Sequence, residues 1–298
     1  MSKEEAKIDH PMSLLRCALC NAAGVDDEDC LVCKLAKCLT FASIQKGIEK
    51  NRPQPGACDE ILFKQPEGTH LGDCPICYVP ISPNPNDQRK SIMFVCCSNM
   101  ICNGCVYACL KKEREGELES KCPFCRHPTD SDSLKNDRQK LKKRVEANDP
   151  VGWREMGKRY DKEENFDKAF ECYTKAAELG DAEAHYSLTI MYHNGEGVAK
   201  DDKKKFYHSE KAAILGHPLA RYNLGCDERK YGNMDRAVKH WIIAANQGED
   251  NSLECLKNLY RKGDGLVSKE MFASALRAHQ AAVDATKSPQ RKETEQFW

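Results

Sequence analysis

The chain has 298 residues, 31% of them charged, and its 46 lysines and arginines balance 46 aspartates and glutamates. That balance excludes the global basic field that drives binding to nucleic acid or acidic membranes. No run of about eighteen apolar residues is present to span a bilayer, and the start MSKEEAKIDHP lacks the apolar core of a secretory signal, so a soluble cytoplasmic or nuclear protein with no membrane association is expected.

The length suggests two or three domains. Fifteen of the eighteen cysteines lie between Cys17 and Cys125, mostly as C-x2-C pairs, so the two halves of the chain differ in kind. In a reducing compartment such pairs read as metal ligands rather than disulfides, and zinc is the default ion.

In chain order, residues 10–60 come first. They carry Cys17-x2-Cys20, Cys30-x2-Cys33 and Cys38, with Cys58 further on. This spacing resembles the opening of a MYND finger, a protein-interaction module that interleaves two zinc ions. The next cysteine of that family falls on Ala42, and Pro55 stands near its late histidine, so the finger is degenerate. Three outcomes stay open: one zinc held by Cys17, Cys20, Cys30 and Cys33, a site completed by His10 or His70, or no metal. A working finger would add one or two ions to those counted below. The acidic run Asp26–Asp29 reads as a solvated turn.

Residues 73–128 carry four cysteine pairs: Cys74-x2-Cys77, Cys96-Cys97, Cys102-x2-Cys105 and Cys122-x2-Cys125. A C-x2-C turn presents two thiolates from one tight loop, and zinc takes four such ligands tetrahedrally at about 2.3 Å. The segment resembles the all-cysteine branch of the RING family. That resemblance implies an interleaved α+β cross-brace, in which Cys74, Cys77, Cys102 and Cys105 hold one zinc while Cys96, Cys97, Cys122 and Cys125 hold a second. The adjacency of Cys96 and Cys97 departs from the family pattern and implies some strain. In ubiquitin-ligase members an apolar residue inside the first pair, a proline inside the last and a cation just after it contact the ubiquitin-conjugating enzyme. Here these positions are Ile76, Pro123 and Arg126. The resemblance leaves a homodimer through the RING open.

Residues 131–150 form a basic linker, and Leu134, Leu141 and Val145 are spaced for a helix with one packed edge. From 151 to 285 the marker Ala-Ala-x-x-Gly recurs as Ala176-Ala177 with Gly180, Ala212-Ala213 with Gly216 and Ala244-Ala245 with Gly248, fading at Ala281-Ala282. Each marker follows an apolar anchor on a preceding helix, at Met156, Leu188, Leu224 and Leu256. Self-similarity at this period signals stacked helix pairs, here four units of an all-α solenoid. The segment resembles Sel-1-like repeats, relatives of the tetratricopeptide solenoid, and this implies a protein-binding face. The histidines His185, His193, His208, His217, His240 and His279 look scattered over the surface, and the aromatics read as packing. Residues 286–298 read as a disordered tail.

The parts together imply a RING-type ubiquitin ligase without a nucleophile of its own, in which the RING recruits a conjugating enzyme and the solenoid a protein substrate. The alternative is a zinc-stabilised adaptor without transferase activity. Nucleic-acid binding has only the cysteines and the basic linker behind it, and no C-x2-C is followed by an H-x3-H step.

Overall fold

A computed structural model describes residues 58–83, 91–116, 121–128 and 133–294. The amino-terminal candidate ligands His10, Cys17, Cys20, Cys30, Cys33 and Cys38 lie outside the described residues, as do the side chains of Cys58 and Leu134. The chain divides into two compact units, Met1–Leu62 and Phe63–Trp298. Of the first, only helix α1 (Cys58–Leu62) is described.

In the second unit the cysteine-rich module comes first. Strands β1 (Ser91–Phe94) and β2 (Asn99–Cys102) form an antiparallel hairpin with Ser91 opposite Cys102 and Phe94 opposite Asn99. Helix α2 (Asn103–Arg114) follows directly. The core under the hairpin consists of Cys74, Ile81, Ile101, Cys102, Cys105 and Val106, so half of it is cysteine. A core this small stabilises little by apolar burial alone.

Nine further helices follow: α3 (Ser133–Glu146), α4 (Pro150–Lys162), α5 (Phe166–Glu178), α6 (Ala182–Asn194), α7 (Asp202–Ile214), α8 (Pro218–Lys230), α9 (Met234–Asn246), α10 (Asp250–Lys262) and α11 (Lys269–Ala285), with α12 (Pro289–Thr294) at the end. The basic segment does form a helix, α3. Leu141 is buried there, and Val145 packs with it against Met156, Cys172 and Val95, which joins the helix to both the solenoid and the cysteine module.

Helices α4 to α11 are four antiparallel pairs, each helix packed on the next. The sequence explains where each starts and stops. Asp149, Asn165, Asp181, Asp201 and Ser268 accept backbone N–H groups as N-caps, satisfying donors that the first turn leaves free. The four expected anchors Met156, Leu188, Leu224 and Leu256 are all buried, as are the paired alanines of the first three markers, whereas Ala281 is exposed and Ala282 half-buried. In the first and third pairs, close approach is set by glycine facing an aromatic ring. A Cβ at Gly157 would meet the Tyr173 ring at 2.8 Å, and one at Gly225 would meet Trp241 Nε1 at 2.5 Å.

Two sequence expectations need correcting. Residues 289–294 of the expected tail form α12, which docks on α2 with Arg291 and Thr294 buried; a six-residue helix is stable here because docking supplies what its length cannot. The histidines are not surface scatter either. His185, His217, His240 and His279 are buried, because the helix interfaces give most of them a stacking or hydrogen-bonding partner. Among the described residues no helix is long and apolar enough to cross a membrane.

Candidate functional site

The first and last cysteine pairs sit in two knuckles of the same design. In the first, Tyr78 N donates to Cys74 O (2.8 Å), Cys74 N donates to Val79 O (3.1 Å), and Asp73 bridges Pro80. In the second, Arg126 N donates to Cys122 O (3.0 Å), Cys122 N donates to His127 O (2.7 Å), and Lys121 bridges Pro128. Each knuckle turns back through a left-handed residue just after its second cysteine, Tyr78 at φ 55° and Arg126 at φ 60°. Left-handed backbone is costly for a side chain this large and persists only where surrounding contacts enforce it.

The hairpin supplies the other two pairs. Cys96 and Cys97 lie in the turn between β1 and β2, where Ser98 takes φ 55°. Cys102 ends β2 and Cys105 lies in the first turn of α2. One hairpin therefore serves a site at each of its ends.

The sulfurs gather into two sets of four, Cys74–Cys77–Cys102–Cys105 and Cys96–Cys97–Cys122–Cys125, with all ligand atoms of a set within 4.8 Å of one another. Sulfur–sulfur edges are 3.9 Å for Cys74–Cys105, 3.7 Å for Cys77–Cys102, 3.9 Å for Cys97–Cys122 and 3.5 Å for Cys96–Cys125. A tetrahedron with metal–sulfur bonds of about 2.3 Å has edges of ~3.8 Å. These thiols are free, and a disulfide would need about 2 Å. The adjacent pair Cys96-Cys97 reaches its set as closely as the others do.

Thiol acidity carries the same message. Burial raises Cys74, yet backbone N–H groups of Cys102, Cys77 and Ile76 aimed at its sulfur bring it down to about 7. Burial, then the neighbouring thiols, push Cys96 and Cys105 well above the ordinary thiol range. Four thiolates cannot crowd together uncompensated, and a divalent cation is the compensation that this donor set fits.

Outside the sulfur sets, Ile76 (37% exposed), Phe124 (45%) and Tyr78 (77%) stand at the knuckles as large apolar side chains open to solvent. Arg126 is exposed and Pro123 is half-buried. The module is held to the helices at the second set: Arg144 Nη2 donates to Cys96 O (2.7 Å), and Ser98 Oγ donates to Asp149 Oδ2.

A third cluster joins residues that no sequence spacing connects. Residues 63–72 cross the turns between repeats as a strap. His70 N donates to Gly216 O (3.0 Å), Gln247 Nε2 donates to Gly68 O (3.0 Å), and Phe63 lies under the cations of Arg236 and Lys239 against His240. The His70 and His217 rings stack with centroids 4.2 Å apart, and both Nε2 atoms face Glu183 Oε2, at 3.3 and 3.2 Å. This is no metal site. His217 Nδ1 accepts Ala220 N–H as the N-cap of α8, so the ring proton stays on Nε2 and is donated to the carboxylate. Burial opposes the Glu183 charge, but bonds from His217 and His70 prevail and hold it far below the usual carboxylate range.

A second buried pair makes stability depend on pH. His185 and His208 meet Nδ1 to Nδ1 at 2.9 Å, which requires one to donate to the other's lone pair. Burial first, then nearby charge (His208 and Lys211 for one, Lys204 and Lys211 for the other), depress His185 to about 3 and His208 to about 4. The unfolded chain takes up protons near pH 6.5 that the folded chain refuses, so stability is full above that pH and falls as pH drops toward the folded values. Thermal unfolding followed by circular dichroism should show a midpoint on the order of 5 °C lower at pH 5 than at pH 7.5. His208→Gln should flatten that fall; an unchanged slope would remove the pair as its source.

The Sel1 repeat family matches residues 152–181, 182–217 and 218–249. The boundaries coincide with helix pairs α4–α5, α6–α7 and α8–α9, and the fourth pair lies beyond the matched residues. No RING or MYND family model matches the cysteine-rich segments. Chitin synthase regulatory factor 4 of Schizosaccharomyces pombe is 31% identical over 85 residues, 28% of this chain and 13% of that protein. Among solved structures, a protective antigen of uropathogenic Escherichia coli with an SLR fold is similar at 29% identity and TM-score 0.42, covering 50% of this chain and 33% of that one. A Sel1 repeat protein from Oxalobacter formigenes is similar at 30% identity and TM-score 0.38, covering 41% of this chain and 98% of that one. The chain thus spans well under two thirds of the first two. Residues 152–249 match the Sel1 repeat, a protein-interaction domain, and their helices stack as a solenoid.

Proposed function

We propose that this protein is a RING-type ubiquitin ligase that works by positioning. The reading rests on one observation: two interleaved four-sulfur sets whose knuckles leave Ile76 and Arg126 open to solvent. Burial of either would have disqualified the surface. Zinc at both sets would supply folding energy and no reaction chemistry, because four protein ligands leave no open coordination position.

Ile76, with Pro123 and Phe124 on the other knuckle, offers apolar surface for a ubiquitin-conjugating enzyme. Arg126 presents a planar fork of donors suited to bridging that enzyme and its ubiquitin in an attack-ready arrangement. The solenoid would hold the protein to be modified, so that a lysine of the captured partner meets the thioester at high effective concentration.

The adaptor reading has support of its own: no RING model matches, and the curated relative is described as a regulatory factor. Purified full-length protein with zinc, ubiquitin, ATP, activating enzyme and a panel of conjugating enzymes decides between them. Chain formation is expected with at least one conjugating enzyme, and Ile76→Ala and Arg126→Ala should each cut its rate by about tenfold or more. Silence across the panel from protein that carries two zinc ions would establish the adaptor.

A further inference from the structure

Arg291, in α12, is only 9% exposed, although a buried guanidinium is expensive unless its donors and its charge are both answered. The Nη donors are answered by carbonyls, while the buried Nε has no partner among the described residues. Nη1 donates to Pro80 O and Thr286 O, both at 2.6 Å, and Nη2 donates to Val79 O at 2.8 Å. Val79 and Pro80 are the residues that close the first cysteine knuckle.

The charge is a separate matter. Among the described residues no carboxylate pairs with Arg291. The sulfur of Cys77 lies 3.9 Å from Nη2. A divalent ion held by four thiolates leaves a net charge of about −2 on the cluster, and this is the counter-charge that no described carboxylate gives the guanidinium. The second sulfur set has a different arrangement. There Arg144 reaches Cys96 O, but its charge is already shared with Asp149 at 3.7 Å.

We propose that Arg291 is the charge-balancing partner of the Cys74–Cys77–Cys102–Cys105 site, so that docking of α12 and metal occupancy of that site stabilise each other. This rests on the zinc reading above. Sequence supports the contact from the other side: α12 lies so close on α2 that a Cβ at Gly104 would meet Arg291 N and Gln290 C at 3.0 Å. Because linkage is reciprocal, losing the ion should loosen α12, and losing the guanidinium should loosen the ion.

The test is zinc release from the full-length protein to a chromophoric chelator, followed in time, for wild type, Arg291→Gln and Arg291→Lys. Wild type should release two ions slowly. In Arg291→Gln, one of the two should leave at least about tenfold faster and the other at the wild-type rate, with Arg291→Lys in between. Limited proteolysis should show the chain end cut faster after chelation.

Wild-type rates for both ions in Arg291→Gln would overturn the inference and leave the zinc reading intact. Equal acceleration of both ions would mean general loosening and would also overturn it. A lysine no better than glutamine would assign the effect to docking geometry and end the charge argument. Protein that never carries zinc would sink the reading beneath it.

Discussion

Stripping the protein with a strong chelator is expected to unfold residues 73–128 and leave the helical stack standing. The core under the hairpin has six buried residues, three of them cysteines that belong to the first sulfur set. Zinc binding to such sites is worth about 10–16 kcal/mol in small domains, more than a core of this size returns by apolar burial. The stack has its own cores around Leu188 and Trp241 and does not draw on the sulfurs. Hydrogen exchange read by mass spectrometry should show protection lost across β1, β2 and α2 and kept in α6 to α9. Unchanged exchange in protein proven free of zinc would mean that the module folds on apolar contacts alone.

Replacing Trp241 by alanine should cost about 3–5 kcal/mol, the range for a large aromatic deleted from a tight core. Its side chain is completely buried, seated against Gly225 with the Arg229 guanidinium 5.5 Å from the ring centroid. Stacked repeats interact mainly with their neighbours, so the damage should stay local. Helices α8 to α11 should lose exchange protection before α4 to α7 as urea rises. A loss under about 1 kcal/mol would show that the third repeat collapses around the gap.

What could be read from the amino acids was whatever local spacing encodes. Recurrent Ala-Ala-x-x-Gly located the helix pairs because each needs small residues where helices meet and a glycine where the chain turns. The cysteine spacing, read through its resemblance, paired the eight sulfurs as the geometry does. The contact positions Ile76, Pro123 and Arg126 came from that same resemblance, and exposure adds only that the first and last are accessible.

Other features depended on distance in sequence. His217 caps a helix where serine, threonine, aspartate or asparagine is usual, so its role gave no signal, and its partners His70 and Glu183 sit far upstream. Arg291 is one cation in a short polar stretch. Its importance comes from two carbonyls more than two hundred residues away. Histidine at an N-cap position is the one sequence signal of the first cluster, and Arg291 carries none.

Residues 63–72 tie the chain to the repeat turns just before the cysteine module begins, and α12 returns to the module after the last repeat. The module is thereby tethered on both sides of its place in the sequence. For a ligase built this way, the gap between captured protein and thioester is a ruler of set length, and lysines would be chosen by where they stand on the partner's surface more than by the residues around them.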